Sequence, residues 1–211
     1  MRLYLSSFRM GDHPEHLLAL IGQGSRRAVV IANAADDAAP DVRRAGVELE
    51  LAALAGLGLD AAELDLRGYF GHRQLLRRDL AGTGLAWLRG GNVFLLRSAL
   101  ARSGADAVLA GLLAADALVY AGYSAGPCVL SPSLRGLELV DDPGAVRRVY
   151  GGPPVWDGLA LLTEAFVRTT GHPGIPRPRR SNWWWPGTAP TASRTAPCTT
   201  GRPCSSTARR R

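Results

Sequence analysis

The sequence predicts an α/β fold: a doubly wound, mostly parallel sheet with helices on both faces. Three observations carry that prediction. Residues 28–33 (AVVIAN) and 118–123 (LVYAGY) are almost wholly apolar over strand length, the pattern of strands buried on both faces. Such runs alternate with helix-like stretches through residues 1–167, as a parallel sheet with crossover helices requires. Two glycine-marked turns, Arg89-Gly90-Gly91-Asn92 and Gly122-Tyr123-Ser124-Ala125-Gly126, each stand where a strand gives way to a helix. Open parallel sheets gather ligands beyond the carboxyl ends of their strands, so both turns fall on the functional edge.

The elements follow in order. Residues 2–8 (RLYLSSF) read as the first strand. Asp12 is the expected cap of a short helix that has Pro14 near its start and runs towards Leu20. After the strand at 28–33, Pro40-Asp41 opens a long Ala/Leu/Glu helix that ends near the glycines of LAGLGL. A third strand is expected at 62–66 and a helix at 74–80. Residues 85–88 form the strand that enters the Gly90-Gly91-Asn92 turn, with helices expected at 93–103 and 105–115 before the strand at 118–123.

At 211 residues the chain fits one domain with a real core. No apolar stretch approaches the roughly 20 residues of a membrane span. Arg9, Asp12 and His13 interrupt the N-terminus, which is therefore not read as a secretory signal, and a cytoplasmic location is expected. Cys128, Cys198 and Cys204 form neither a disulfide framework nor a metal signature. No cofactor and no metal are expected. The net charge of +7 suggests nucleic acid until it is divided. Residues 1–167 carry 16 Arg against 18 acids, a net −2, whereas residues 168–211 carry nine Arg and no acid, a net +9. The basic character belongs to the tail, and nucleic acid is a partner only if that tail is genuine.

The chemistry is expected at Ser124. In Gly122-x-Ser124-x-Gly126 the sharp strand-to-helix turn crowds the neighbouring backbone, so the flanking positions must be small. The helix start offers N–H groups to a developing oxyanion. Gly90 and Gly91 let backbone amides approach a ligand from the adjacent turn, while Asn92 alternatively reads as a plain helix cap. Glu138, Asp141 and Asp142, in LELVDDP, supply candidate acids to orient a base, although a solvated turn before Pro143 accounts for the aspartates equally well. Of the four histidines, His13 and His16 read as surface residues of the N-terminal turn or helix, His72 as a loop residue, and only His172 follows the serine.

Taken together, RLYLSSF, the GGN turn followed by VFLL, YAGYSAGPCVL, LELVDDP and PVWDGLALL resemble the dipeptidase E-like serine peptidases, peptidase family S51. The resemblance covers about residues 1–167. It implies a class I glutamine amidotransferase-like (flavodoxin-like) fold shared with cyanophycinase, and hydrolysis of short peptides, with N-terminal aspartate preferred in founding members. It also implies Ser124 as nucleophile and oxyanion amides from Gly91 and Ala125. One departure is serious: where the family has a Pro-His pair supplying the general base, this chain reads Arg168-Thr169-Thr170. His172 is the remaining candidate base, a few residues late.

The domain is accordingly expected to span 1–167 and to be followed by an Arg/Pro-rich, disordered tail at 168–211. That tail holds half of the 14 prolines, yet also Trp183-Trp184-Trp185, which is out of place in a solvated segment. Tryptophan has a single codon, so Trp183-Trp184-Trp185-Pro186 fixes the nucleotides TGGTGGTGGCC. Read one nucleotide earlier, the string encodes Leu, Val or Met and then Val-Val-Ala. The same frame permits Pro-His-His at Arg168-Thr169-Thr170, directly after Val167, so a frameshift near Val167 is expected. The rival readings are a noncatalytic binding module with a basic tail and a cyanophycinase-like hydrolase of an Asp/Arg polymer. The sequence does not determine the oligomeric state.

Overall fold

The computed structural model describes residues 1–165, which form a five-stranded parallel sheet in the order β1-β5-β4-β2-β3. The strands are β1 (Arg2–Ser6), β2 (Arg27–Ile31), β3 (Asp60–Glu63), β4 (Leu85–Leu88) and β5 (Val119–Tyr123). Crossovers are made by α1 (Pro14–Ile21), α2 (Pro40–Gly56), α3 (Arg73–Asp79), α4 (Val93–Ser103) and α5 (Ala105–Ala114). After β5 come the single turn α6 (Ala125–Cys128) and the short α7 (Ala145–Tyr150).

Each central strand divides its side chains between two cores, as period-two alternation requires. Ala28 and Val30 of β2, Leu85 and Trp87 of β4, and Val119, Ala121 and Tyr123 of β5 pack on one face with Leu17, Ile21 and Leu54 of α1 and α2. Val29, Ile31, Ala86, Leu88 and Tyr120 face the other way, against Leu76, Phe94, Leu96, Leu100, Leu109 and Leu113 of α3, α4 and α5. This is the expected doubly wound arrangement, and it explains why the runs at 28–33 and 118–123 carry no polar alternation.

Two local expectations are corrected. The third strand begins and ends earlier than 62–66: Asp60 N–H bonds to Arg26 O at 2.9 Å, and Leu64 N–H makes the last ladder-like contact, to Val30 O at 2.8 Å. Asp65 then leaves the strand because its carboxylate accepts the Arg67 amide at 3.1 Å and nucleates a 3-10 turn over Leu66–Tyr69. Asp12 is not the cap of α1; His13 occupies that position, with no side-chain cap bond, and Pro14 supplies the preset φ of the first turn.

Beyond α7 the chain returns along the segment that follows α6. Leu159 N–H bonds to Val129 O at 2.7 Å and Leu161 N–H to Leu130 O at 3.0 Å. Gly158 is required here, since a Cβ would lie 1.8 Å from the Ser131 carbonyl oxygen. Trp156 closes the segment by meeting Phe94 edge-on, with ring centroids 5.1 Å apart. Residues 1–165 belong to one compact unit, Met1–Thr169. The expected boundary at 167, the tail, the tryptophan triplet and His172 lie outside the described residues.

Candidate active site

The site is built where β4 and β5 end side by side, Leu88 paired with Gly122. At Ser124 the chain turns from β5 into α6 with φ +57° and ψ −105°, a conformation rarely held by a residue with a side chain. The flanking glycines have a direct steric cause. A Cβ on Gly122 would come 2.5 Å from the Leu88 carbonyl oxygen, and one on Gly126 would come 2.9 Å from the same atom. Tyr120, on the opposite face to Tyr123, donates its hydroxyl to Gly126 O at 2.7 Å and fixes the first turn of α6. Ser124 N–H bonds back to Ser6 O of β1 at 3.3 Å, and Ser124 itself is 6% exposed.

The second turn lies directly against the first. A Cβ on Gly90 would fall 2.8 Å from Ser124 Cβ and 2.6 Å from the Tyr123 ring. Gly91 has φ +154°, and a Cβ there would be 2.3 Å from Ala34 O. Both glycines are thus needed for close approach, Gly90 to the serine and Gly91 to the loop after β2. Asn92 caps α4, its Oδ1 accepting from Phe94 N at 2.9 Å and Leu95 N at 3.2 Å. Asn92 is thus the helix cap, directly after the two glycines that make these close approaches. Among the described residues, no backbone hydrogen bond takes up the Gly91 or Ala125 amide.

The acidic segment docks on this turn. Asn92 donates its amide to Asp142 O at 2.9 Å, and Asp141 accepts the Val93 N–H at 3.0 Å, at the start of α4. Asp141 is thereby brought beside the Gly90-Gly91 turn. Asp142 instead faces solvent, where hydrogen bonds from Arg148 and from Gly144 N–H hold its carboxyl below the ordinary value. Glu138 accepts from Gly136 N at 2.5 Å within its own exposed turn. His13 and His16 stack on each other at 5.3 Å on the surface, and His72 stands at the start of α3. Among the described residues no group of three or more His, Cys, Asp or Glu is placed to hold a metal ion. No helix is long and apolar enough to cross a membrane among these residues. Two cavities of about 120 and 260 Å³ lie elsewhere, one beside Ser25 and Thr83, the other beside Asp60 and Tyr69.

One residue escapes the sequence reading. Glu50 of α2 is buried, accepting from Trp87 Nε1 at 2.9 Å and from the Tyr123 hydroxyl at 2.7 Å, with Arg89 Nε 3.8 Å away. Burial, then the nearby Glu50 carboxylate, pushes the Tyr123 phenol well above its ordinary value. A signal existed. Glu50 falls on the stripe Gly46, Val47, Glu50, Leu54 that α2 turns inward, whereas Glu48 does not.

A structure of a protein from Listeria monocytogenes EGD-e designated a peptidase E superposes with a TM-score of 0.61 at 25% identity, covering 76% of this chain and 74% of that one. A peptidase from an acI-B1 actinobacterium gives a TM-score of 0.49 at 18% identity, over 62% of this chain and 56% of that one. No curated protein matches the sequence. The profile of peptidase family S51 matches residues 6–180, past Val167 and through His172. That match takes in both glycine-marked turns and every described element from the end of β1 onward, and on it the chain belongs to peptidase family S51.

Proposed function

We propose that this family member is a serine-type, peptidase E-like hydrolase of short peptides whose nucleophile is Ser124. The observation that carries the reading is the backbone of Ser124, a strained turn between β5 and α6 pressed against Gly90. Strain of this kind is a reason to look for function, and the strand–turn–helix setting is that of a nucleophile elbow. In the proposed reaction Ser124 Oγ attacks the peptide carbonyl, and the Gly91 and Ala125 amides receive the negative charge that develops on its oxygen. A base takes the serine proton and delivers it to the leaving amine; water then releases the acyl group.

The base is the weak point of this chain. By the resemblance the base comes from a Pro-His pair, and the corresponding Arg168-Thr169-Thr170 carries no histidine. We infer slow turnover, with the base encoded in the alternative frame. The family match through residue 180 favours one rival source, His172. Labelling with a fluorophosphonate probe, followed by peptide mapping, tests the nucleophile. Slow modification confined to Ser124 and abolished in S124A is expected, and modification elsewhere would refute the assignment. Rapid wild-type labelling that H172A abolishes would give the role of base to His172 and remove the need for a frameshift.

A further inference from the structure

Past the pair Leu88 and Gly122, the β4–β5 ladder ends and backbone pairing no longer relates the two turns to each other. Arg89 N–H goes instead to Ile31 O, and Ser124 N–H to Ser6 O, so the two chains diverge towards different neighbours. The residues that begin the divergence, Arg89 and Tyr123, both reach the same carboxylate. Glu50 Oε1 accepts the Tyr123 hydroxyl at 2.7 Å and lies 3.8 Å from Arg89 Nε, while Oε2 accepts from Trp87 of β4 at 2.9 Å. A carboxylate this deeply buried is costly unless its oxygens are paired, and these partners supply the pairing.

The same helix also makes room for the arrangement. Gly46 lies one turn before Glu50, and a Cβ there would come 2.5 Å from Arg89 Nη2; the guanidinium occupies the place of a side chain. On the other side, Gly90 rests on the Tyr123 ring and on Ser124 Cβ. The position of the Tyr123 ring therefore sets how the Gly90-Gly91 turn lies against the serine. We propose that Glu50 is a positioning residue, holding the elbow and the Gly90-Gly91 turn in register through Tyr123, Trp87 and Arg89. It touches no reacting atom and acts through these neighbours. The proposal rests on the reading of Ser124 as nucleophile and adds to it the element that aims the nucleophile at its oxyanion donors.

Full-length wild type, E50Q, E50L and Y123F test this. Each is labelled with a fluorophosphonate, in which Ser124 Oγ bonds to phosphorus as fluoride leaves, and the maximal rate is separated from the half-saturating concentration. Crystal structures are determined in parallel. Since a misplacement of about 1 Å can cost about a hundredfold, E50L is expected to lose at least about tenfold in maximal rate at an unchanged half-saturating concentration. Its Ser124 should leave the φ near +57° seen here. E50Q retains an acceptor for Trp87 and a donor towards the Tyr123 oxygen, and should stay within about threefold of wild type. A folded E50L with wild-type rate and unmoved turns overturns the proposal, as does an E50Q as impaired as E50L. If E50L does not fold, Y123F decides: a wild-type rate with unmoved turns overturns the proposal, and a reduced maximal rate supports it. If wild-type Ser124 takes no label, the nucleophile reading falls, and the crystal structures alone judge the positioning role.

Discussion

Ser124 shows how much strain a single backbone angle can hold. A residue with a Cβ held at φ +57° and ψ −105° costs about 1–3 kcal/mol, and the cost is sustained by the glycines packed on the Leu88 carbonyl. S124G relieves that strain, less about 0.5–1 kcal/mol for the extra freedom glycine gives the unfolded chain. The variant is therefore expected to melt at or above the wild-type temperature while taking no fluorophosphonate, and calorimetry with labelling checks both. A clear drop in melting temperature would show that the hydroxyl contributes more to stability than the turn costs. At this scale the sequence was readable where glycine spacing has one steric meaning, as in Gly122-x-Ser124-x-Gly126. It was harder to read at Glu50, because a glutamate in an Ala/Leu/Glu helix looks solvated until it is placed on the inward stripe with Gly46, Val47 and Leu54.

Among the elements, the loops after β2 and β3 are tied to each other by charge as well as by the buried Ala34, Leu64 and Leu66. Asn33 donates to Asp36 and Asp65, Arg43 pairs with Asp36 and Glu63, and Arg67 grips Asp65. Burial raises the Asp65 pKa, but hydrogen bonds from Arg67 and Asn33 outweigh it and bring the carboxyl down to about 2. The folded value lies below the unfolded one, so this group stabilises the fold above pH about 4 and loses its contribution as pH falls towards 2. Denaturant titrations from pH 5 to 2 should show D65N with a shallower acid decline than wild type. An identical decline would remove Asp65 from the acid limb. Helices were legible in the sequence through their length and their glycine or proline ends. Strand β3, four residues reading Asp-Ala-Ala-Glu, carries almost no apolar signal, and its boundary depends on the Asp65 turn, a tertiary detail.

For the whole molecule, the sheet edges are the exposed feature. Among the described residues β1 pairs only with β5, and all five of its residues are partly accessible, a surface that invites pairing with another strand. If a frameshift has replaced the segment that follows residue 167, the version with the frame restored should be more soluble and melt higher than the present chain. Equal solubility and melting, or an alternative frame interrupted by stop codons in the gene, would make the present ending the genuine one. The fold class was legible because two strands buried on both faces leave unmistakable apolar runs. The docking of Asp141 on the start of α4 was not legible, since it is a contact between segments 48 residues apart.

The two strands that bear the site, β4 and β5, are interior to the sheet, each with a neighbour on both sides. Local openings in proteins begin at edges and ends, and interior strands exchange their amide hydrogens only when the fold as a whole opens. The elbow and its facing turn thus belong to the most persistent part of the molecule. A change at an edge or in a loop can therefore alter the molecule's surroundings without loosening Ser124 from its pose, which is among the last features the fold gives up.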